Sequence, residues 1–311
     1  MKYQKLLTKS KYMIGLQCYH SLWILCNNKS NVPDIDMSTQ HRFDEGHIVG
    51  QLAKQFYPNG IDIPENDFKK SLELSKELLE KRVPLFEAGF TFNNCYSRAD
   101  ILVPVGKDEW NIVEIKSSTE VKPEYLDDLS FQVYCYKGFG LKIKKIYLLH
   151  INNKYVKKGN VNHQEFFIEE DVTQKVYDTM QNIDKRVAVM QELINTDKYD
   201  DSKYGKHCES PKTCPMPELD WGFLPKSSVF TLYRGGKNST GLYESNIINI
   251  KDIPEGYKLT DKQEIQVKCD KNNCCHIEPE NIKKELTKLE YPLHYIDFET
   301  YTTAIPLYDE L

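Results

Sequence analysis

Long apolar runs are missing from this 311-residue chain. No stretch approaches the roughly 18 uninterrupted apolar residues that crossing a bilayer requires, and the mean hydropathy is −0.58, which argues against a membrane protein. A small-residue cleavage site is missing too: Gln17, His20 and Ser21 interrupt the apolar stretch near the N-terminus, so a secretory leader is not expected. The chain has no excess of positive charge. Its 41 Lys and Arg stand against 46 Asp and Glu, a net charge of −5, so any nucleic-acid groove has to be locally basic. Nine cysteines cannot all pair, and in a long lysine-rich chain they read poorly as a disulfide scaffold. Reduced thiols or metal ligation, and a cytoplasmic compartment, are the expectation. Internal repeats and low-complexity tracts are absent. What is present is 40% hydrophobic residues with 13 Phe, 20 Tyr and 3 Trp, enough apolar mass to fold, over a length that favours about two folding units.

The helical spacing of Phe43, Ile48, Leu52, Ala53 and Phe56, ended by Pro58, predicts one helix. Pro64-Glu65 ahead of FKKSLELSKELLEKR predicts a second, stopped near Pro84. Beyond Pro84 the segments LFEAGFTF, NCYSRADILVPV and EWNIVEIKSS are short, rich in β-branched and aromatic residues, and separated by Asn93-Asn94 and Gly106-Lys107-Asp108; they predict three consecutive strands. A helix from about Pro123 to Gly138, a buried strand KKIYLLHI, a strand HQEFFI and one long amphipathic helix from roughly Glu169 to Asn195 complete an α/β domain over residues 1–199. Residues 200–225, with Gly, Pro and Cys, predict a loop held by something other than a core. Residues 226–290 predict a helical or irregular connector that includes ENIKKELTKLE. Residues 291–311 open on a strand-like LHYIDFET, read as a further domain begun but not finished.

The chemistry concentrates on two adjacent predicted strands. Asp100 ends RAD before the apolar ILVPV, and Glu114-Ile115-Lys116 lies in NIVEIKSS. Two carboxylates on largely apolar strands cost several kcal/mol each to bury unpaired, and a divalent cation such as Mg²⁺ or Mn²⁺ offsets that cost with hard oxygen ligands. Strand alternation puts Glu114 and Lys116 on one side, while Ile115 points away and can offer its backbone carbonyl to the metal. Such an arrangement suits phosphodiester hydrolysis, with Lys116 orienting or deprotonating the attacking water. A surface Glu–Lys pair beside an ordinary Asp is the plain alternative.

RADIL, VEIKSS and then FQVYCY, with Gln132 and Tyr136 four apart on the following helix, resemble the PD-(D/E)xK nuclease superfamily, specifically its RecB-like branch with the Q-x-x-x-Y helix. The likeness spans residues 10–222 in motif order. It implies a restriction-endonuclease-like core with a central mixed sheet flanked by helices. It also implies catalytic Asp100, Glu114 and Lys116, Mg²⁺ or Mn²⁺ as cofactor, DNA as substrate, and Gln132 and Tyr136 positioning that substrate. One departure stands out: such nucleases usually carry a metal-binding His four residues after a helix glycine, and here Gly46 is followed at that distance by Gly50. His47 and Glu45 are out of register, which leaves Glu45 as a candidate outer ligand or a solvated helix charge.

Cys18 lies far from Cys208 and Cys214, a layout similar to RecB-like nucleases of the CRISPR-associated and AddB types, which hold an iron–sulfur cluster through one cysteine before the core and three after it. A group of uncharacterised bacterial relatives carries HC-x5-C-x5-C-W after the nuclease; here its last cysteine falls on Asp220, before Trp221. The resemblance implies a [4Fe–4S] site of Cys18, Cys208, Cys214 and Asp220. Aspartate is a hard, poor ligand for such a centre, so zinc, with His207 as an alternative ligand, or plain reduced thiols stay open. Cys26, Cys95 and Cys135 read as core residues, and Cys269, Cys274, Cys275 and His276 as incidental surface groups that match no zinc signature. In YPLHYIDFET, Asp297 and Glu299 stand two apart on a predicted strand and resemble the opening motif of DnaQ-type DEDD exonucleases, carried by the same bacterial group.

These features together predict a metal-dependent DNA nuclease acting on strand ends or single strands. Lysines of GLKIKKIYLLH and NKYVKKG are the expected phosphate contacts. The alternative is a catalytically weak nuclease-fold module serving in nucleic-acid binding or complex assembly. Protein partners are not indicated.

Overall fold

The computed structural model describes residues 5–199, 222–300 and 302–310, which fall into two compact units, Met1–Asp201 with Thr302–Leu311 and Ser202–Tyr301. Among the described residues no helix is long and apolar enough to cross a membrane.

The first unit is a mixed α/β fold. In chain order its elements are β1 (Leu7–Thr8), α1 (Lys9–Gln17), α2 (Tyr19–Asn27), α3 (Met37–Ala53), β2 (Ile61–Asp62), α4 (Phe68–Leu78), β3 (Leu85–Phe92), β4 (Cys95–Val105), β5 (Glu109–Lys116), α5 (Pro123–Phe139), β6 (Lys142–Ile151), α6 (His163–Phe166), β7 (Phe167–Asp171), α7 (Thr173–Thr179) and α8 (Ile183–Asn195). Six strands run in the order β2-β3-β4-β5-β6-β7, with β1 added beside β4. The β3/β4, β4/β5 and β6/β7 pairs are antiparallel, whereas β1/β4, β2/β3 and β5/β6 are parallel. The expected central mixed sheet with flanking helices is present.

Each face of the sheet carries a buried core. One core joins Ala88, Phe90, Ala99, Leu102 and Ile112 to α1, α5 and α8, with Tyr12 stacked on Phe131 at 4.5 Å. The other joins Phe86, Ile101, Val113 and Leu149 to Val49 and Ala53 of α3. Helix α5 starts with Pro123, whose missing N–H has no partner to lose there, and stops at Gly140, whose φ of 111° closes the helix end.

Three expectations differ from this fold. The single helix over 169–195 is instead β7, α7 and α8, because Glu169–Asp171 continue the ladder with β6 and Asn182, at φ 60°, interrupts the later helical run. HQEFFI starts as the helical turn α6 and becomes strand only at Phe167. Residues 302–310, expected to open a separate domain, pack with the first unit: Ala304 and Ile305 join the α3-side core and Asp309 pairs with Lys157 at 2.6 Å.

The second unit is built from helices Lys237–Glu244, Asp261–Asn272 and Pro279–Leu286 and short turns around Val229, Leu232, Leu242, Ile250, Ile253 and Val267. Thr260 and Gln263 form a reciprocal cap at the start of its longest helix. The expected strand LHYIDFET does not form among the described residues. With no neighbouring strand to take its backbone hydrogen bonds, residues 291–300 run without regular structure, and Asp297 and Glu299 are exposed.

Candidate active site

Strand β4 is shared between two partners on one edge. Cys95 and Tyr96 pair with β1, and Ile101 to Val105 pair with β5, so residues 97–100 face a gap in the sheet. One rung beyond Ile101↔Val113, Asp100 stands opposite Glu114 at the rim of that gap. Here β3 and β4 both change faces. Phe86 and Ile101 point to the α3-side core while Ala88 and Ala99 point to the α5-side core, and Glu87 absorbs the shift with a φ of 60°. A non-glycine residue in that region is a strained backbone position of the kind functional sites retain.

Into the gap converge Asp100, Glu114, Lys116, Gln132, Lys9 and Asp128. Glu114 is 1% exposed. Its Oε1 accepts from Lys116 Nζ at 2.6 Å and Lys9 Nζ at 3.1 Å, and its Oε2 from Gln132 Nε2 at 2.5 Å. Lys116 also donates to Asp128 Oδ2 at 2.7 Å, and Lys9 lies 3.4 Å from Asp128 Oδ1. Asp100 Oδ2 accepts the Ile115 N–H at 2.6 Å, replacing the ladder bond the gap removes. Beside it, Arg98 bridges Glu87 and Glu65, each at 2.9 Å.

The charges polarise one another. Burial, reinforced by the neighbouring Glu114 carboxylate, pushes Asp100 up to about 7 against the opposing pull of Lys9 and Lys116. Burial acts on Glu114 in the same direction, yet the Lys116 and Lys9 ammoniums outweigh it and hold the carboxyl far below its usual range. Burial alone would favour neutral lysines at positions 9 and 116. The Glu114 and Asp128 carboxylates reverse that, so both side chains are firmly cationic.

Two concavities adjoin Asp100. A cleft of about 460 Å³ runs between the sheet end and α3, lined by Arg42, Gly46, His47, Gly50, Lys54 and Lys116 among others. A recess of about 320 Å³ lies at the start of α1, lined by Thr8, Lys9, Ser10 and Ser97. Asp100, Glu87 and Arg98 line both. Gly50 does face the cleft, and a Cβ there would meet nothing within 4 Å. Gly50→Ala is therefore expected to raise stability by up to about 1 kcal/mol through helix propensity, read from urea unfolding midpoints.

Several sequence expectations need correction. Gln132 and Tyr136 are fully buried, so neither offers a surface to substrate. Gln132 acts on Glu114, and the Tyr136 hydroxyl accepts from Ala99 N at 2.6 Å and donates to Ala88 O, fastening β3 to β4 beside the gap. Tyr136→Phe leaves both backbone groups unpaired and is expected to cost about 1–3 kcal/mol, measurable by denaturant unfolding. Glu45 does not line the cleft; its carboxylate accepts the Ala304 N–H. Lys142, Lys144 and Lys145 each pair with an acid, respectively Asp108, Glu109 and Asp171, and Lys142 and Lys144 sit by the start of β5, a strand length of roughly 20 Å from Lys116. The cations beside the gap are Lys9, Arg42, Lys54 and Arg98, of which Lys9 pairs with Glu114, Lys54 with Asp62, and Arg98 with Glu65 and Glu87.

Cys18 caps α2, its Sγ accepting from Ser21 N at 3.4 Å, while His207, Cys208, Cys214 and Asp220 lie outside the described residues. Cys95 and Cys135 are fully buried, and Cys274 and Cys275 are exposed. Among the described residues no group of three or more His, Cys, Asp or Glu is placed to hold one metal ion.

No family model and no curated protein matches this chain. Solved structures do. LHK-Exo in complex with dAMP aligns with a TM-score of 0.35 and 10% identity over 61% of this chain and 90% of that one. SSO0001 aligns with a TM-score of 0.31 and 11% identity over 61% and 78%. The alkaline exonuclease LHK-Exo from Laribacter hongkongensis gives 0.26 and 12% over 61% and 89%. Likeness at this level assigns no activity, and the functional reading rests on the site itself.

Proposed function

We propose that the first unit is a metal-dependent nuclease that hydrolyses DNA phosphodiester bonds at strand ends or in single strands. The observation that carries this reading is where the unsatisfied polar atoms lie. Four buried side-chain atoms among the described residues have no hydrogen-bond partner; two of them, Ser97 Oγ and Gln132 Oε1, border the acidic gap with no ion pair either, and a third, Asp128 Oδ1, has only the Lys9 ammonium at 3.4 Å. Native interiors rarely leave such atoms orphaned without a ligand or ordered water to satisfy them.

The donor set fits Mg²⁺ or Mn²⁺. Asp100 keeps Oδ1 clear of its bond to Ile115, Glu114 supplies a second carboxylate, and the Ile115 carbonyl a third hard oxygen, with the rest of an octahedron left to water and substrate. An ion held there would lower the pKa of a water and offset charge on the scissile phosphate. The chain's own groups do the remainder. Lys116, fixed by Glu114 and Asp128, orients the attacking water; Gln132 holds Glu114 in place; Arg42 and Lys54 line a cleft able to take a phosphate backbone. A [4Fe–4S] cluster or zinc at Cys18, Cys208, Cys214 and Asp220, or plain reduced thiols there, is a separate matter from this reading, which does not depend on it.

A second reading, a nuclease-fold module that binds nucleic acid or supports assembly without turnover, is favoured by the saturation of both Glu114 oxygens and by Gly50 in the cleft. The two part on turnover. With Mn²⁺, purified protein should shorten single-stranded or duplex DNA and Asp100→Ala should not; equal behaviour of the two proteins would remove the nuclease reading.

A further inference from the structure

Lys9 stands out among the groups at the gap. It is the first residue of α1, comes from outside the central β3–β6 core, and reaches Glu114 and Asp128 at 3.1 and 3.4 Å, longer than the 2.6 and 2.7 Å contacts of Lys116 to the same two acids. Lys116 is also held over the Tyr125 ring at 5.3 Å. With Lys9 and Lys116 in place, three carboxylates, Asp100, Glu114 and Asp128, face two ammoniums, and the cluster is close to electrical balance with no metal at all. A divalent cation added to that arrangement would bring two further positive charges against Lys9 in a site largely screened from water. Both lysines adjoin open space, Lys116 the cleft and Lys9 the 320 Å³ recess, but Lys9 is the more loosely held, by its longer contacts and, among the described residues, with no ring beneath its ammonium as Lys116 has in Tyr125. The recess holds the first turn of α1, where Thr8 already takes Lys11 N at 3.4 Å, and Ser97, whose buried Oγ is unpartnered; of the two carboxylates that also line it, Glu87 is offset by Arg98 and Asp100 is the residue the cation would engage. Arg98 is already committed to Glu87 and Glu65, which leaves Lys9 as the cation able to serve there.

We propose that Lys9 is a resident counter-ion of the acidic pair, displaced from Glu114 into the adjoining recess by a divalent cation, where its ammonium and Ser97 bind a phosphate group of the nucleic-acid strand. The proposal rests on the nuclease reading above and deepens it. Lys9 is a positioning residue in the metal-free protein and a substrate contact in the loaded one.

Calorimetric titration of the full chain with Mn²⁺, without DNA, tests the first half. Lys9→Met should bind Mn²⁺ about 10-fold more tightly than wild type, and Lys9→Arg, which keeps the charge, within about 3-fold of it. For single-stranded DNA binding in the presence of Mn²⁺, Lys9→Met should reduce the slope of log affinity against log salt by about one. Oligonucleotides ending in a 5′-phosphate, a 3′-phosphate or only hydroxyls then separate a terminal phosphate from a backbone one. Should Lys9→Met fold poorly, wild-type protein suffices: acetylation footprinting should label Lys9 several-fold more once Mn²⁺ is added. Mn²⁺ affinity unchanged or weakened in Lys9→Met, or Lys9 labelling indifferent to Mn²⁺, overturns the inference while leaving the nuclease reading standing. Wild type that takes up no Mn²⁺ overturns both.

Discussion

Asp100→Asn is expected to lower Mn²⁺-dependent DNA cleavage by about 100-fold or more, while the metal-free protein stays folded and, near pH 8, becomes more stable than wild type. The two effects share one cause. Asp100 is held beside Glu114 in a site that disfavours its ionisation, and a cation relieves that conflict only when bound. Without metal, the folded carboxyl titrates near 7 and the unfolded one near 4. Folding therefore favours the protonated acid. The stability this contributes is fully present below about pH 4 and is lost as pH rises through about 7. Asparagine keeps the acceptor for the Ile115 N–H and removes the titrating charge. In EDTA, the wild-type urea midpoint should fall from pH 5.5 to pH 8 by more than that of Asp100→Asn. Parallel pH profiles would refute the stability claim, and undiminished cleavage the catalytic one.

Glu114→Ala has the largest expected effect on stability, a loss of about 3–5 kcal/mol. Glu114 is the common partner of Lys9, Lys116 and Gln132, and its removal strands two partly buried ammoniums with only Asp128 and Asp100 nearby. The sign with pH is opposite to that of Asp100. Its folded carboxyl lies below the unfolded value, so its stabilisation is present above about pH 4.5 and is lost as pH falls toward the folded value. Denaturant unfolding in EDTA at pH 7 reads the loss directly. A variant as stable as wild type would mean that the lysines find other partners and that Glu114 is not the hub of the cluster.

The contrast between these two acids also shows what the sequence could tell. Glu114 and Lys116 were legible as neighbours because strand alternation sets residues two apart on one side, and Asp100 because a short turn folds β4 back on β5. Asp128 carries a signal too: it lies four residues before Gln132, hence on the same helix face. Lys9 carried none. It is brought to Glu114 by the pairing of a two-residue strand with β4, and no local pattern encodes contact across more than a hundred positions. Glu87 was hidden for a different reason. LFEAGFTF reads as an unbroken strand, and only the face change between Phe86 and Ala88 reveals the kink that turns Glu87 and Asp100 to the two concavities. The lysines of β6 misled because charge density in sequence says nothing of which end of the sheet it occupies, or of the acids that neutralise it.

Nuclease chemistry at this site requires one cation held at the gap in the sheet, between the cleft and the α1 recess. Anomalous diffraction from crystals soaked in Mn²⁺ locates that ion directly. The expected result is a peak within about 2.2 Å of an Asp100 oxygen and a Glu114 oxygen, with the Lys9 ammonium withdrawn from Glu114. A metal bound elsewhere on the chain, with Lys9 still seated on Glu114, would contradict it.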